Sequence, residues 1–361
     1  MKKIFVLLAS VFFFTTISAQ IPPGYYDPAA GLTGLPLKIA LHDIIKNHTV
    51  ISYGNLYPQF QITDTKGSNE VWDMYSDIPG GTPPYIYHYI SADECGSYSG
   101  EGDCFNREHA FPQSLFGSTG SIYSDIFQLY PTDGYVNNRR SNYPMGDVSS
   151  PTWTSINGSK VGPCSFVAPS GSYTGTVFEP IDEYKGDFAR TYFYIAVRYY
   201  TEDAGWTSNG MNNGAEPLLW ALAQYLQWSH NDTVSQKEID RNNATYLIQN
   251  NRNPFIDHPE WADSIWGALI TRISENTPDN SVSIFPNPSE GDFTLTFSSH
   301  EKNPVTVQVF SVDGMKVYSS SISGNRNMVK TKIDLHGLAK GIYFPKIITE
   351  KNVISKQIII Q

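Results

Sequence analysis

The rhythm of apolar residues changes once along this chain, and that change limits its possible folds more than any other feature. Leu37 to Asn47, Phe188 to Tyr200, Pro217 to Trp228 and Lys237 to Asn250 all repeat at a helical period. Ser235 with Glu238 spells a capping box before the last of these, and Glu216-Pro217 places a proline at a helix start. A polar, turn-forming run, Ser274-Glu275-Asn276-Thr277-Pro278-Asp279-Asn280-Ser281, then interrupts the pattern. Beyond it, Phe293 to Phe297, Val305 to Phe310, Lys316 to Tyr318, Ile342 to Ile348 and Val353 to Ile360 alternate as strands, spaced by turns such as Asp313-Gly314. The 361-residue chain is long for one compact domain. The expectation is α+β: a mainly helical domain at 20–273, a linker at 274–281 and a small β-sandwich at 282–361.

The chain opens with Met1-Lys2-Lys3, an apolar run from Ile4 to Phe14 and the small-residue ending Ile17-Ser18-Ala19. This is the layout of a cleavable secretory signal over residues 1–19, giving a mature chain from Gln20. The run is far shorter than the roughly 20 residues that span a bilayer, so no transmembrane segment is expected in the mature chain. Export makes a disulfide plausible among Cys95, Cys104 and Cys164. Cys95 and Cys104 flank a Gly/Ser-rich stretch and are the favoured pair, leaving Cys164 free. No Cys-x-x-Cys or His/Cys array suggests a structural zinc. The net charge is −10, and residues 20–275 hold 14 Lys and Arg against 28 Asp and Glu, a balance of −14. A nucleic-acid partner would therefore have to be held by a local basic strip and bound cations.

Chemically capable residues are densest from Asn106 to Asn142: Asn106-Arg107-Glu108-His109, Asp125, and Asp133-Gly134-Tyr135-Val136-Asn137-Asn138-Arg139-Arg140-Ser141-Asn142. Phosphodiester hydrolysis needs an activated water and positive charge around the developing oxyanions. A neutral imidazole at His109 suits the water's proton, and Glu108 with the Asn137 amide oxygen supplies hard ligands suited to magnesium. Adjacent strand residues point to opposite faces, so Glu108 and His109 should sit at a strand end or irregularity. Asp133 can cap a short helix that carries Asn137 and Arg140 on one face.

These segments resemble the endonuclease I family, whose core is the ββα-metal, or His-Me finger, motif. Further matches are Pro112 with Phe116-Gly117, Ser124-Asp125, Lys185-Gly186-Asp187-Phe188-Ala189-Arg190 and Asn251-Arg252-Asn253-Pro254-Phe255-Ile256-Asp257-His258-Pro259-Glu260. The resemblance spans roughly residues 35 to 267. It implies His109 as general base, Glu108 and Asn137 as ligands of Mg2+ (with Mn2+ or Ca2+ as alternatives), and products with 5′-phosphate ends. Arg140 is expected to be catalytic, and Arg107 and Asn142 to contact substrate. That substrate is DNA, with RNA as the alternative, cut with little sequence preference by a monomer. Phe127-Gln128 departs from the family, which often has a His there.

Plainer structural roles account for other residues. Arg139 reads as a surface charge, Trp72 and Tyr75 as core aromatics, His258 as a helix-start residue, and Lys185, Asp187 and Arg190 as stabilisers of a helix start. A zinc peptidase lacks its His-x-x-x-His pair, and a serine hydrolase its Gly-x-Ser-x-Gly elbow. The remaining rival is a secreted binding or adhesion protein that kept the fold without activity, but His109 and Asn137 are both present.

Val282-Ser283-Ile284-Phe285-Pro286-Asn287-Pro288-Ser289 and Leu338-Ala339-Lys340-Gly341-Ile342-Tyr343-Phe344 resemble the C-terminal sorting domain of the type IX secretion system, a seven-stranded sandwich. The resemblance implies passage through the periplasm to the cell surface or the medium, with that machinery as partner. Pro345 stands where a β-branched residue is expected, which favours an edge strand or bulge.

Overall fold

A computed structural model of the chain describes residues 21–168, 171–269, 282–299, 304–311, 315–322, 326–348 and 353–361. The expected signal at 1–19, the linker at 274–281 and the Asp313-Gly314 turn lie outside the described residues. The chain divides into two compact units, Met1–Val167 with Ser172–Trp266, and Ala168–Gly171 with Gly267–Gln361.

The first unit is α+β. Its helices include α1 (Gly34–Ile45), and its longest antiparallel pair is β1 (Phe105–His109) with β2 (Leu129–Asp133), running straight into α2 (Gly134–Arg140). Farther on come α3 (Asp182–Arg198), α4 (Leu219–Asn231) and α5 (Gln236–Gln249). Nearly every residue of α3 is buried, Asp187, Arg190 and Arg198 included, so its charges have to find partners in the interior. Gly186 makes that enclosure possible, because a Cβ there would lie 2.1 Å from the carbonyl oxygen of Asp232.

Two charged residues on α3 are matched from α5. Lys237 donates to Asp187 at 2.7 Å and Arg190 to Glu238 at 2.8 Å. Asp187 and Arg190 thus tie α3 to the first turn of α5 in the interior. Lys185 does act at the first turn of α3, pairing with Asp182 at 2.7 Å and Glu179 at 2.8 Å. The capping box of α5 forms as expected: the Ser235 side chain accepts from the Glu238 amide, and Glu238 accepts from the Ser235 amide. Pro217 does not start α4. Glu216–Pro217 pairs with Asn212–Asn213 in a two-residue ladder, and the helix begins at Leu219.

The second unit consists of two antiparallel sheets around one core. The smaller orders β3 (Ser283–Phe285), β4 (Asp292–Ser299) and β7 (Arg326–Asp334). The larger orders β6 (Lys316–Ile322), β5 (Val305–Ser311), β8 (Gly341–Ile348) and β9 (Val353–Ser355), with β10 (Ile358–Ile360) also on β8. Alternate residues such as Phe293, Leu295, Val305, Val307, Ile347 and Ile358 fill the interior. Two strands, β3 and β7, went unforeseen. In β7 Val329 and Ile333 mark the inward face, and the polar Thr331 between them, on the same face, interrupts the apolar alternation.

Pro345 is not on an edge. It pairs with Val309 on one side, while on the other β8 meets β9 only from Lys346 and β10 only up to Tyr343. Its carbonyl takes the amide of Lys356 at 2.9 Å, in the break between β9 and β10. Amide and carbonyl of one residue face the same neighbour in an antiparallel ladder, so the donor that proline lacks points at this break, where no ladder partner waits.

Candidate active site at the end of the first long strand

β1 carries four chemically active residues in a row, and the period of two sorts them into pairs. Asn106 and Glu108 occupy one face. There the Tyr75 hydroxyl donates to Glu108 Oε1 at 2.8 Å, Arg140 Nη1 lies 3.3 Å from the same oxygen, and Asn137 Nδ2 donates to Asn106 Oδ1 at 2.8 Å. Both Glu108 contacts fall on Oε1, and among the described residues Oε2 has no hydrogen-bond donor. Burial raises the Glu108 carboxyl above its usual range, against the opposing pull of Arg140. The Asn106 contact likewise occupies the nitrogen of Asn137 and leaves its amide oxygen free.

α2 delivers Asn137 and Arg140 to this face. Asp133, the last residue of β2, accepts the Val136 amide at 2.8 Å and starts the helix as its cap, the arrangement expected from sequence. Asp133 also accepts from the Tyr87 hydroxyl at 2.6 Å and the Gly102 amide at 2.9 Å, so the turn from strand to helix is pinned from outside.

Arg107 and His109 take the alternating positions, and His109 is the last residue of β1, the strand-end placement expected from sequence for the Glu108-His109 pair. Its ring stacks on Tyr53 and Tyr123, with centroids 5.9 and 5.6 Å away, and touches Phe116. His109 Nε2 lies 3.1 Å from the carbonyl oxygen of Tyr123. A carbonyl only accepts, so Nε2 carries the proton and Nδ1 keeps a lone pair. Burial pulls the His109 pKa down to about 4, opposed by the Tyr123 carbonyl and aided by the charges of Arg140 and Arg107. At neutral pH the imidazole is uncharged. Arg107 lies over Tyr53 at 3.9 Å and donates to the Tyr53 carbonyl, and among the described residues no carboxylate pairs with it.

Arg140 takes a different place from a residue reaching for substrate. It is 1 % exposed, and it donates to the carbonyls of His109 (3.0 Å) and Ala110 and to the Tyr192 hydroxyl while facing Glu108. It clamps the end of β1. Asn142 is exposed, with its backbone carbonyl held by Asn209 at 2.7 Å. Arg139 is exposed over the rings of Tyr135 and Trp153. His258 stacks on Trp261 and contacts Glu260, between two short helical turns.

The supporting residues were the harder part to foresee. Tyr75 is a core aromatic whose hydroxyl happens to meet Glu108. The Tyr123 carbonyl sets the His109 tautomer, and Gln128, from the departing Phe127-Gln128 pair, braces that segment by donating to the Ile122 carbonyl at 2.7 Å. Buried tyrosine and glutamine must find partners, but nothing in sequence says which. Cys95 and Cys104 form the expected disulfide, with Cα atoms 5.5 Å apart, immediately before β1, and Cys164 is free.

No hydrogen bond joins the His109 ring to Glu108 or Asn137 among the described residues, and no group of three or more His, Cys, Asp or Glu among them is placed to hold a metal. Any cation at Glu108 and Asn137 would thus have few protein ligands and mainly oxygen donors, the habit of magnesium.

Comparison with known proteins gives matches at both ends. Residues 33–260 match the family described as Endonuclease I, and residues 283–361 the Secretion system C-terminal sorting domain. An extracellular ribonuclease of Bacillus amyloliquefaciens is 38 % identical over 265 residues, covering 70 % of this chain and 82 % of the relative. An extracellular ribonuclease of Bacillus subtilis is 36 % identical over 251 residues, covering 67 % and 78 %. Endonuclease-1 of Buchnera aphidicola is 27 % identical over 135 residues, covering 37 % and 46 %.

Proposed function

We propose, since this chain belongs to the endonuclease I family, that it hydrolyses phosphodiester bonds in RNA and DNA with His109 as general base and a divalent cation at Glu108 and Asn137. The chain is a secreted nuclease: its C-terminal residues belong to the sorting domains of type IX secretion, and no helix among the described residues is long and apolar enough to cross a membrane. β1, β2 and α2 are then the ββα core of a His-Me finger.

One observation carries the reading. His109 is neutral, its Nε2–H is engaged by the Tyr123 carbonyl, and its remaining lone pair belongs to the residue next to a carboxylate with an uncommitted oxygen. In the proposed reaction His109 Nδ1 takes the proton of the attacking water. Arg107, with its guanidinium held over Tyr53 and by the Tyr53 carbonyl, faces a substrate phosphate, and Asn142 offers a further polar contact. Arg140 acts at one remove, fixing the carbonyls that end β1 and balancing the charge of Glu108.

The donor set suits the cation: one free carboxylate oxygen and one free amide oxygen are hard ligands, and the Asn106 contact turns the amide of Asn137 the right way. When bound there, a divalent cation would supply positive charge to the phosphorane-like transition state. The ribonuclease relatives are the reason for placing RNA beside DNA. Neither base recognition nor a preferred sequence is part of the reading, because the catalytic residues address phosphate.

Digestion of plasmid DNA and of long RNA, each with magnesium, manganese, calcium or chelator, tests it. The expected result is cleavage of both polymers with magnesium or manganese, products bearing 5′-phosphates, and none with chelator. A folded protein that cuts neither polymer in any metal, or cuts equally well with chelator, would overturn it.

A further inference from the structure

Beside His109 the surface opens into a hollow of about 260 Å³ that the proposed reaction does not use. Phe116 and Trp206 form its aromatic side, with ring centroids 5.7 Å apart, and Phe116 lies 5.8 Å from the His109 ring. Both are only part-buried, whereas Phe111 behind them is sealed in the core and the buried Tyr199 lines the inner side of the hollow. Trp206 is also held in place locally, since its amide meets the Asp203 carbonyl and the next amide, Thr207, meets the Leu115 carbonyl.

Ser121 and Ile122 make another wall, directly before Tyr123, whose carbonyl fixes the His109 tautomer. The polar edge is Glu202. Arg198 donates to one of its oxygens and the Ser121 hydroxyl to the other at 3.3 Å, so its charge is balanced while spare lone pairs face outward. Arg198 itself is 4 % exposed, so no open cation lines the hollow. Such a lining does not suit a phosphate. It suits a flat aromatic group carrying an amino donor.

We infer that this hollow is a nucleobase subsite, taking the base beside the scissile phosphate against the aromatic wall of Phe116 and Trp206, with Glu202 accepting from an exocyclic amino group. The inference rests on the nuclease reading. Every base has a π-face, so stacking would serve any sequence, while the acceptor edge would favour adenine, cytosine and guanine over uracil and thymine.

End-labelled oligonucleotides, each with one abasic residue, test this, because the product ladder reports cleavage at every bond separately. In the wild-type protein one bond flanking the abasic residue should be cut about 5- to 150-fold more slowly than in the intact strand, the loss of one stacked base. In W206A that difference should vanish while distant bonds are still cut. E202Q, which keeps the fold and offers a donor as well, should narrow the difference between bonds beside uracil and bonds beside cytosine. Wild-type cleavage indifferent to the abasic residue, or E202Q with an unchanged base preference, would overturn the subsite and leave the nuclease standing. No cleavage of any bond in any strand would instead overturn the nuclease reading, and the subsite with it.

Discussion

Replacing Arg140 by methionine separates a residue that shapes the site from one that touches substrate. Arg140 is 1 % exposed, sits 3.3 Å from Glu108 Oε1 and donates to the carbonyls of His109 and Ala110. Methionine fills much of the same space without charge or donors. Glu108 would then be a buried carboxylate held only by the Tyr75 hydroxyl, and breaking a buried pair on one side costs about 3–5 kcal/mol. The Ala110 carbonyl keeps the Tyr192 hydroxyl at 2.6 Å, so the loss of its arginine partner adds little. Urea unfolding at pH 7 in chelator would measure the effect without any metal contribution. Adding Glu108→Gln removes the stranded charge, and the double variant should recover about 1–3 kcal/mol as coupling energy. A loss below about 1 kcal/mol in Arg140→Met, accompanied by abolished cleavage in a fully folded protein, would refute the clamp and make Arg140 a direct participant.

Two further expectations concern neighbours of that network. Because Asn106 holds the amide nitrogen of Asn137, Asn106→Ala should weaken calorimetric magnesium affinity about 10- to 100-fold, whereas Asn106→Asp, which preserves the acceptor, should retain it; equal affinity in Asn106→Ala would remove the orienting role. Asp232 accepts the Gly186 amide, and burial, reinforced by the nearby carboxylate of Asp187, raises its pKa to about 7. A raised folded-state carboxyl gives stability that is present below the unfolded value near 4 and lost as pH rises through about 7. Asp232→Asn should therefore gain in melting temperature relative to the wild type as pH goes from 4 to 8, and a constant difference across that range would contradict the shift.

Local chemistry was the legible part of this sequence. Asp133 three residues before Val136, and Ser235 three before Glu238, announced helix starts because capping is settled within one turn. The strands of the second unit were readable wherever inward residues were apolar, as in Val305, Val307 and Val309, and were missed where threonine took an inward position in β7. Pro217 misled because its fixed φ suits both a helix start and the ladder residue it became. The contents of the candidate site were readable as residue types, and their directions were not. Whether Arg140 turns outward to substrate or inward to Glu108 depends on where α3 places Tyr192 and where the chain after β1 leaves its carbonyls. Such long-range partners leave no periodic trace.

The direct test of the central claim is His109→Ala, followed by single-turnover cleavage and by calorimetric metal titration of the same protein. His109 is assigned the water's proton and no share of the cation. Cleavage should fall by about 10² to 10⁴, the usual worth of a general base, while metal affinity stays at the wild-type value and extra magnesium restores nothing. Cleavage at the wild-type rate, or a loss that added magnesium repairs, would contradict it.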